Sequence, residues 1–491
     1  MTRLIRRRRK PARSGEERLT DSVRLVDERL GASPLLKAAM KYLFPDHWSF
    51  LLGEIALYSF LVLVATGIFL TFFFEPSTAP TIYDGSYTPL VGAQVSEAYA
   101  STVDISFDVP AGLLMRQAHH WAALVFVVAI VLHLMRVFFT GAFRKPRDIN
   151  WLIGVTLVTC ALIEGFLGYS LPDDLLSGMG LAIAYGVALS IPAIGGQLAV
   201  LLWDGAFPGA AEFIGRMYIV HVLLLPVTIA VLITAHLAII VRQKHSQFPG
   251  PGRREDNVIG TPMWPAYALR ALGMMLATAA LLFLLGGLVQ INPIWQYGPY
   301  QPYLGTNGAQ PDWYMGWLIG ALRLMPGFDV TVGDYTLIPN PFWGGVLFPT
   351  LVFGVLYAWP AIERRIAQDY RRHDLLDRPR DAPLRTAFGA AFFTWIAVIF
   401  VAGAADRLLV DIGFPYESQV WYFRVLAIAL PIPIFFLVRR ICRELRASEV
   451  RPLRAWTGTL VRRRPDGSFE ELGDGSGTSP DSPRRAPGRR A

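Results

Sequence analysis

Along this chain the apolar residues fall in long blocks separated by polar loops. Blocks of spanning length lie near 50–74, 112–140, 151–170, 216–241, 271–289, 342–359, 387–405 and 421–438. A hydrocarbon core about 30 Å thick takes about 20 residues of helix to cross. The pattern therefore predicts an all-α integral membrane protein with eight transmembrane helices. A four-helix bundle is expected over residues 46–245 and four further spans over residues 246–445. Residues 1–45 are polar and basic and predict a cytoplasmic segment. Residues 446–491, rich in Arg, Pro, Gly and Ser, predict a disordered cytoplasmic tail.

Loop charge tests the count. If the basic start, MTRLIRRRRK, lies inside, the loops after spans two, four and six must lie inside as well. Those loops carry Arg144, Lys145 and Arg147; Arg242, Lys244, Arg253 and Arg254; and seven arginines between 361 and 385. The outer loops at 75–111 and 171–215 hold five and four acids, with no Lys or Arg. Eight spans with both termini cytoplasmic satisfy the positive-inside rule. Composition agrees, with 53% hydrophobic and 17% charged residues and a mean hydropathy of +0.38. The net charge of +8 sits in loops beside the lipid bilayer and points to no nucleic acid. Cys160 and Cys442 lie too far apart in sequence to form a CxxC, iron–sulfur or zinc motif.

Polar groups inside a membrane are costly and mark function. The second span, QAHHWAALVFVVAIVLHLMR (117–136), holds His119, His120 and His133. Fourteen residues bring a helix back to within about 40° of its start and raise it about 21 Å. His119 and His133 therefore share a face, near opposite edges of the bilayer. His120 lies about 140° from His133 and is read as structural. The fourth span holds His221 and His236, fifteen residues apart. They stand about 60° off one face and about 22 Å apart along the axis. Both spans run from outside to inside, so His119 meets His221 at the outer side and His133 meets His236 at the inner side. A single intramembrane histidine is equally a hydrogen-bonded core residue. Two pairs at matched spacing, one per leaflet, are what two bis-imidazole haems need. Imidazoles on both faces of the iron leave no open position, so such a group carries electrons.

The same interval recurs in glycines. Gly53 and Gly67 in the first span, and Gly154 and Gly168 in the third, are each 14 residues apart. Glycine weakens a helix, so either helix packing or close approach to a flat macrocycle explains it; the matching intervals favour the macrocycle. Arg116 and Arg136 flank the histidines of the second span, as membrane-edge residues or as partners for haem propionates. Glu164, four residues before Gly168, is an intramembrane acid and a candidate proton acceptor or hydrogen-bonded structural group.

Together these features resemble cytochrome b of the cytochrome bc family of quinol:cytochrome c oxidoreductases. The resemblance rests on Gly53/Gly67, RQAHHW…HLMR, WLIG…GYSLP (151–172), RMYIVHVLLLP…H (216–236) and QPDWYMGWLIGALR (310–323). GYSLPDDLLSG and the long basic start are similar to actinobacterial members. The resemblance implies two haem b: an outer, low-potential haem on His119 and His221, and an inner, high-potential haem on His133 and His236. Arg116 and Arg136 would hold propionates. Pro311, Asp312, Trp313 and Tyr314, with Tyr169, would line a quinol oxidation site on the outer face. Asp312, Glu164 and Tyr314 would be its catalytic residues. Most relatives have Glu in place of Asp312, one methylene longer. Members with a covalent extra haem carry a Cys near the inner end of the first span, and HWSFLLG has none.

The implied function is that of the cytochrome b subunit of a respiratory quinol–cytochrome c reductase in a bacterial cell membrane. Menaquinol would be oxidised outside, electrons would cross through both haems to quinone inside, and protons would be translocated. Arg242, His245 and Asp256 are candidates for the inner quinone site. With no cluster motif in this chain, the first electron needs another subunit, by resemblance a Rieske iron–sulfur protein. A cytochrome c subunit, a haem-copper cytochrome oxidase in a supercomplex and a homodimer are the other partners implied. One rival is a dihaem b-type membrane anchor of another quinone-linked dehydrogenase, which would lack PDWY and the paired glycines. The other is a haem-free transporter.

Overall fold

The computed structural model describes residues 40–210, 212–304, 310–450, 461–463 and 469–471. The cytoplasmic segment expected over residues 1–45 lies outside the described residues but for its last six. So does most of the tail. Within that tail Val461–Arg463 pairs antiparallel with Phe469–Glu471, where a wholly disordered segment was expected.

All eight expected spans are helices of spanning length and composition. They are α1 (Trp48–Thr71), α3 (Gly112–Phe139), α4 (Asp148–Ser170), α7 (Phe213–Gln243), α8 (Met263–Leu288), α10 (Trp343–Ala367), α11 (Pro383–Arg407) and α12 (Tyr416–Ser448). The loops after α1, α4 and α8 add helices too short to cross: α2 (Glu97–Phe107), α5 (Leu175–Leu189), α6 (Gly195–Trp203) and α9 (Gly316–Leu324). α5 is apolar but only 15 residues long, short of the length a bilayer requires. Its start is set by Asp174, whose carboxylate accepts from the backbone N–H of Leu176 and Ser177. Among the described residues, strands occur only as four two-stranded ribbons.

Loop contacts separate two ends of the bundle. At one end Arg147 ties two other loops together, donating to the carbonyls of His373 and Lys244 and to Asp374 Oδ1. At the other, Arg116 donates to the carbonyl of Asn292, and the Leu175 N–H donates to that of Gly298. The first end gathers the basic loops and the second the acidic ones. Between them α1, α3, α4 and α7 enclose a core of Ala56, Phe60, Phe126, Ala129, Leu157, Ala161 and Ile229. These residues sit midway along their helices and form an apolar layer; the half at the acidic end is called outer below and the half at the basic end inner.

α7 is not a uniform helix. Val220–Leu224 forms a π turn that contains His221 and leads into Pro226. Proline has no N–H to give the preceding turn, and the wider turn absorbs the irregularity. A π turn inserts one residue into an α-helix and recurs at functional sites. It takes up the extra residue of the fifteen-residue histidine step, so His221 and His236 lie closer to one face than regular geometry predicts.

Candidate functional site

The four histidines meet in the expected pairs. The rings of His119 and His221 lie 6.3 Å apart between centroids, inclined at 77°. Those of His133 and His236 lie 6.4 Å apart, inclined at 71°. A metal–imidazole bond of about 2 Å on each side sets two axial rings about 6 Å apart, with the metal between them. Both pairs fit that arrangement.

The surroundings fit a macrocycle with carboxylate arms as well. A Cβ on Gly53 or Gly67 would come within 3.2 Å of His133 or His119, and one on Gly168 within 2.6 Å of His221; on Gly154 it would be 3.9 Å from His236. At Gly53, Gly67 and Gly168 the missing side chain is what lets these helices lie against the histidine rings. Arg116 is buried, held by Ser106 Oγ and the Asn292 carbonyl, yet its Nη2 has no partner. Arg136 stands 4.2 Å over the Phe50 ring and donates to Ser49 Oγ; its Nη2 too is buried and unpartnered. Buried guanidinium N–H groups rarely go unpaired. One such group at each level suits one carboxylate ligand at each level.

On the outer side a cavity of about 250 Å³ is lined by His119, His120, Arg116, Glu164, Gly168, Tyr169, His221, Asp312 and Tyr314, among others. Asp312 is its polar centre. His120 Nε2 lies 2.8 Å from Asp312 Oδ1, and the Tyr314 hydroxyl donates to Oδ2 at 3.0 Å. His120, expected to be structural, thus points at the loop acid. Its neighbour His119 faces the ligand pair because adjacent helical residues lie about 100° apart. Nothing in the local sequence ties His120 to a residue 192 positions away. Trp313–Met315 forms a tight 3-10 turn that sends Tyr314 inward and leaves Trp313 exposed, near Phe400. Pro311 and Trp313 are absent from the cavity wall among the described residues. Burial, with the Asp312 charge beside it, raises the Tyr314 phenol well above its ordinary value, so it remains a donor. On the loop beyond α4, burial pushes both Asp173 and Asp174 up to about 6.

At the inner side His245 sits among the rings of Tyr42, Phe44 and Phe50, at 5.8, 5.0 and 6.0 Å. Burial, with Arg147 and Arg136 nearby, lowers it to about 4, so it is neutral. Arg242 is exposed, and Asp256 pairs with Arg254 at the surface; neither joins that group of rings.

Comparison with known proteins decides the family. The cytochrome bc1 complex cytochrome b subunit of Streptomyces coelicolor is 45% identical over 448 residues, covering 91% of this chain and 82% of that protein. The chain belongs to the cytochrome b subunits of cytochrome bc1 complexes. The Mycobacterium tuberculosis cytochrome b subunit is 46% identical over 449 residues, covering 91% of this chain and 81% of that one. The family described as cytochrome b(N-terminal)/b6/petB matches residues 124–299. A solved hyperthermophilic respiratory Complex III chain has the same fold, with a TM-score of 0.64 at 20% identity; the match covers 87% of this chain and all of that one. Membership of the cytochrome b family implies haem binding, and the eight apolar helices make the protein a multi-pass membrane protein.

Proposed function

We propose that this chain is the subunit of a bacterial quinol:cytochrome c reductase that binds two b haems and oxidises menaquinol at its outer face. The supporting observation is that one cavity is lined both by the outer histidine pair and by the Asp312–His120–Tyr314 cluster. A substrate held there lies against the outer haem site and against a carboxylate at once. When bound, the haems supply one-electron carriers, one toward each membrane face. His119 and His221 hold the outer one, His133 and His236 the inner, and Arg116 and Arg136 take the propionates.

The chain's own residues handle the protons. A quinol hydroxyl must lose its proton as its electrons leave, and a general base within hydrogen-bond reach speeds this. Asp312 is the first acceptor. His120, 2.8 Å away, shares the proton and compensates for the side chain being one methylene shorter than Glu. Tyr314 keeps its own proton and orients Asp312 through Oδ2. Glu164, the second carboxylate on the cavity wall, is the alternative acceptor. Tyr169 closes the wall between them. Pro311 and Trp313 set the loop that carries Asp312.

The same reading extends to the assembly. The first electron leaves to a Rieske iron–sulfur protein and a cytochrome c subunit, in a dimeric complex coupled to a haem-copper oxidase. Both termini are cytoplasmic, beside the basic loops, and the proton release at the outer face contributes to translocation. The chain divides near residue 245 into a haem half and a quinol-loop half, joined across the outer cavity by His120 and Asp312. The ring group around His245 marks the inner quinone site.

The test is a dithionite-reduced minus oxidised spectrum of the purified complex, with pyridine haemochrome quantification. Two b haems per chain are expected, and none in folded protein would overturn the ligand assignment. In the same complex Asp312→Asn should cut quinol turnover while leaving haem content intact. Unchanged turnover in Asp312→Asn combined with Glu164→Gln rules out the proton role of both.

A further inference from the structure

Resting on the haem assignment above, we propose that Glu164 is a positioning residue that acts through His221 to make the outer haem a weaker electron acceptor than the inner one. His221 Nδ1 stands 3.0 Å from Glu164 Oε1 and 3.2 Å from the carbonyl oxygen of the same residue. Both side chains are shielded, at 15% and 18% exposure. Glu164 Oε2 is buried with no hydrogen-bond partner, so the imidazole is the polar group this carboxyl addresses. A ring that gives Nε2 to a metal keeps its proton on Nδ1, and that nitrogen has two oxygens of one residue close by, the carbonyl as its hydrogen-bond acceptor and the carboxylate at 3.0 Å.

The partner ligand is supported more weakly. Thr66 Oγ1 lies 2.9 Å from His119 Nδ1 and gives its own proton to the Val62 carbonyl at 2.7 Å. It therefore accepts from the ring. At the inner level His133 Nδ1 is buried with no hydrogen-bond partner, and His236 Nδ1 has no carboxyl or hydroxyl behind it, only the Asn150 backbone at longer reach. The two ligand pairs are alike in ring spacing and opposite in what stands behind the rings.

An acceptor behind a ligating imidazole fixes its tautomer and orientation and raises its basicity. A more basic ligand favours the oxidised metal, which carries one more positive charge than the reduced one. A carboxylate adds to this directly, because charges interact strongly where water is sparse. The outer site has a carboxyl and a hydroxyl behind its rings, and the inner site has neither. An electron on the outer haem is thereby driven toward the inner one by the protein's own placement of Glu164.

The test is an equilibrium redox titration of the purified complex, following both b haems by their absorption bands and by the resonances of the low-spin ferric forms. Glu164→Gln keeps the size and an acceptor oxygen but loses the charge. At fixed ambient potential the reduced-to-oxidised ratio of the outer haem should rise about tenfold, 59 mV for a one-electron couple, while the inner haem holds its ratio. Glu164→Asp should restore most of the parent ratio. No shift, or an equal shift of both haems, overturns the proposal. If Glu164→Gln sheds the outer haem, retention in Glu164→Asp supports the positioning role and loss in both overturns it. Failure of the underlying haem assignment is seen separately, as fewer than two haems in the parent complex or two haems retained in His221→Ala.

Discussion

The outer and inner histidine pairs are the same device built twice, and their differences are more informative than their likeness. Both are two imidazoles about 6 Å apart on α3 and α7, with glycines against them and an arginine with a buried, unpartnered Nη2 at the same level. The outer pair has oxygen acceptors on its far nitrogens, the tightest glycine contact, and a wall in common with the Asp312 cavity. The inner pair has no side-chain acceptor on its far nitrogens, a looser contact at Gly154, and aromatic neighbours at its end of the bundle. In the function and inference proposed above, ligand identity alone would make two equivalent carriers. The difference between them, and with it a direction of electron flow, would come from residues that never touch the metal.

The comparison breaks most completely by removing ligands. His221→Ala is expected to leave one b haem per chain and to abolish quinol oxidation, and His236→Ala to leave the other; pyridine haemochrome counts with potentiometry tell which remains. Next comes the cavity that only the outer pair shares. Asp312→Asn should lower quinol oxidation on the order of 10²-fold or more, the usual weight of a general base, with both haems spectrally intact. His120→Ala should fall between that variant and the parent, and an effect equal to the parent would sever the relay.

Smaller steps sharpen the contrast. Gly168→Ala puts a Cβ 2.6 Å from His221, an overpacking that costs about 1–3 kcal/mol. It should lower thermal retention of the outer haem alone. Gly154→Ala meets His236 only at 3.9 Å and should be neutral or slightly stabilising, since alanine favours a helix by about 0.5–1 kcal/mol over glycine. Equal losses at both sites would mean the glycines serve helix packing generally. The smallest effect is expected from Thr66→Val, which removes a neutral acceptor from His119. In the same redox titration it should move the outer haem in the direction of Glu164→Gln by a minor fraction of that shift, with the inner haem still.

What the sequence reveals follows from the range of each interaction. The eight spans are legible because hydropathy is a local sum that the bilayer enforces. The histidine pairs are legible because a helix converts sequence spacing into position. The π turn at Val220–Leu224 is not, since Pro226 signals an irregularity without saying which kind, and the fifteen-residue step reads as a poorer alignment than the fold delivers. The His120–Asp312 contact is not either, because it joins α3 to a loop 192 residues away. Glu164 stands out as an acid among apolar residues, but its facing of His221 depends on how α4 and α7 pack. The short outer helices α5 and α6 escape a search for spans because they are apolar without being long enough to cross.

The π turn also bears on how such a helix tolerates change in its gene. A codon gained or lost elsewhere between His221 and His236 rotates one histidine by a full helical step and pulls it off its partner. A codon lost among residues 222–224 instead tightens the wide turn to a regular one and leaves both rings near their places. The wide turn is thus a built-in allowance for one residue fewer between the two histidines.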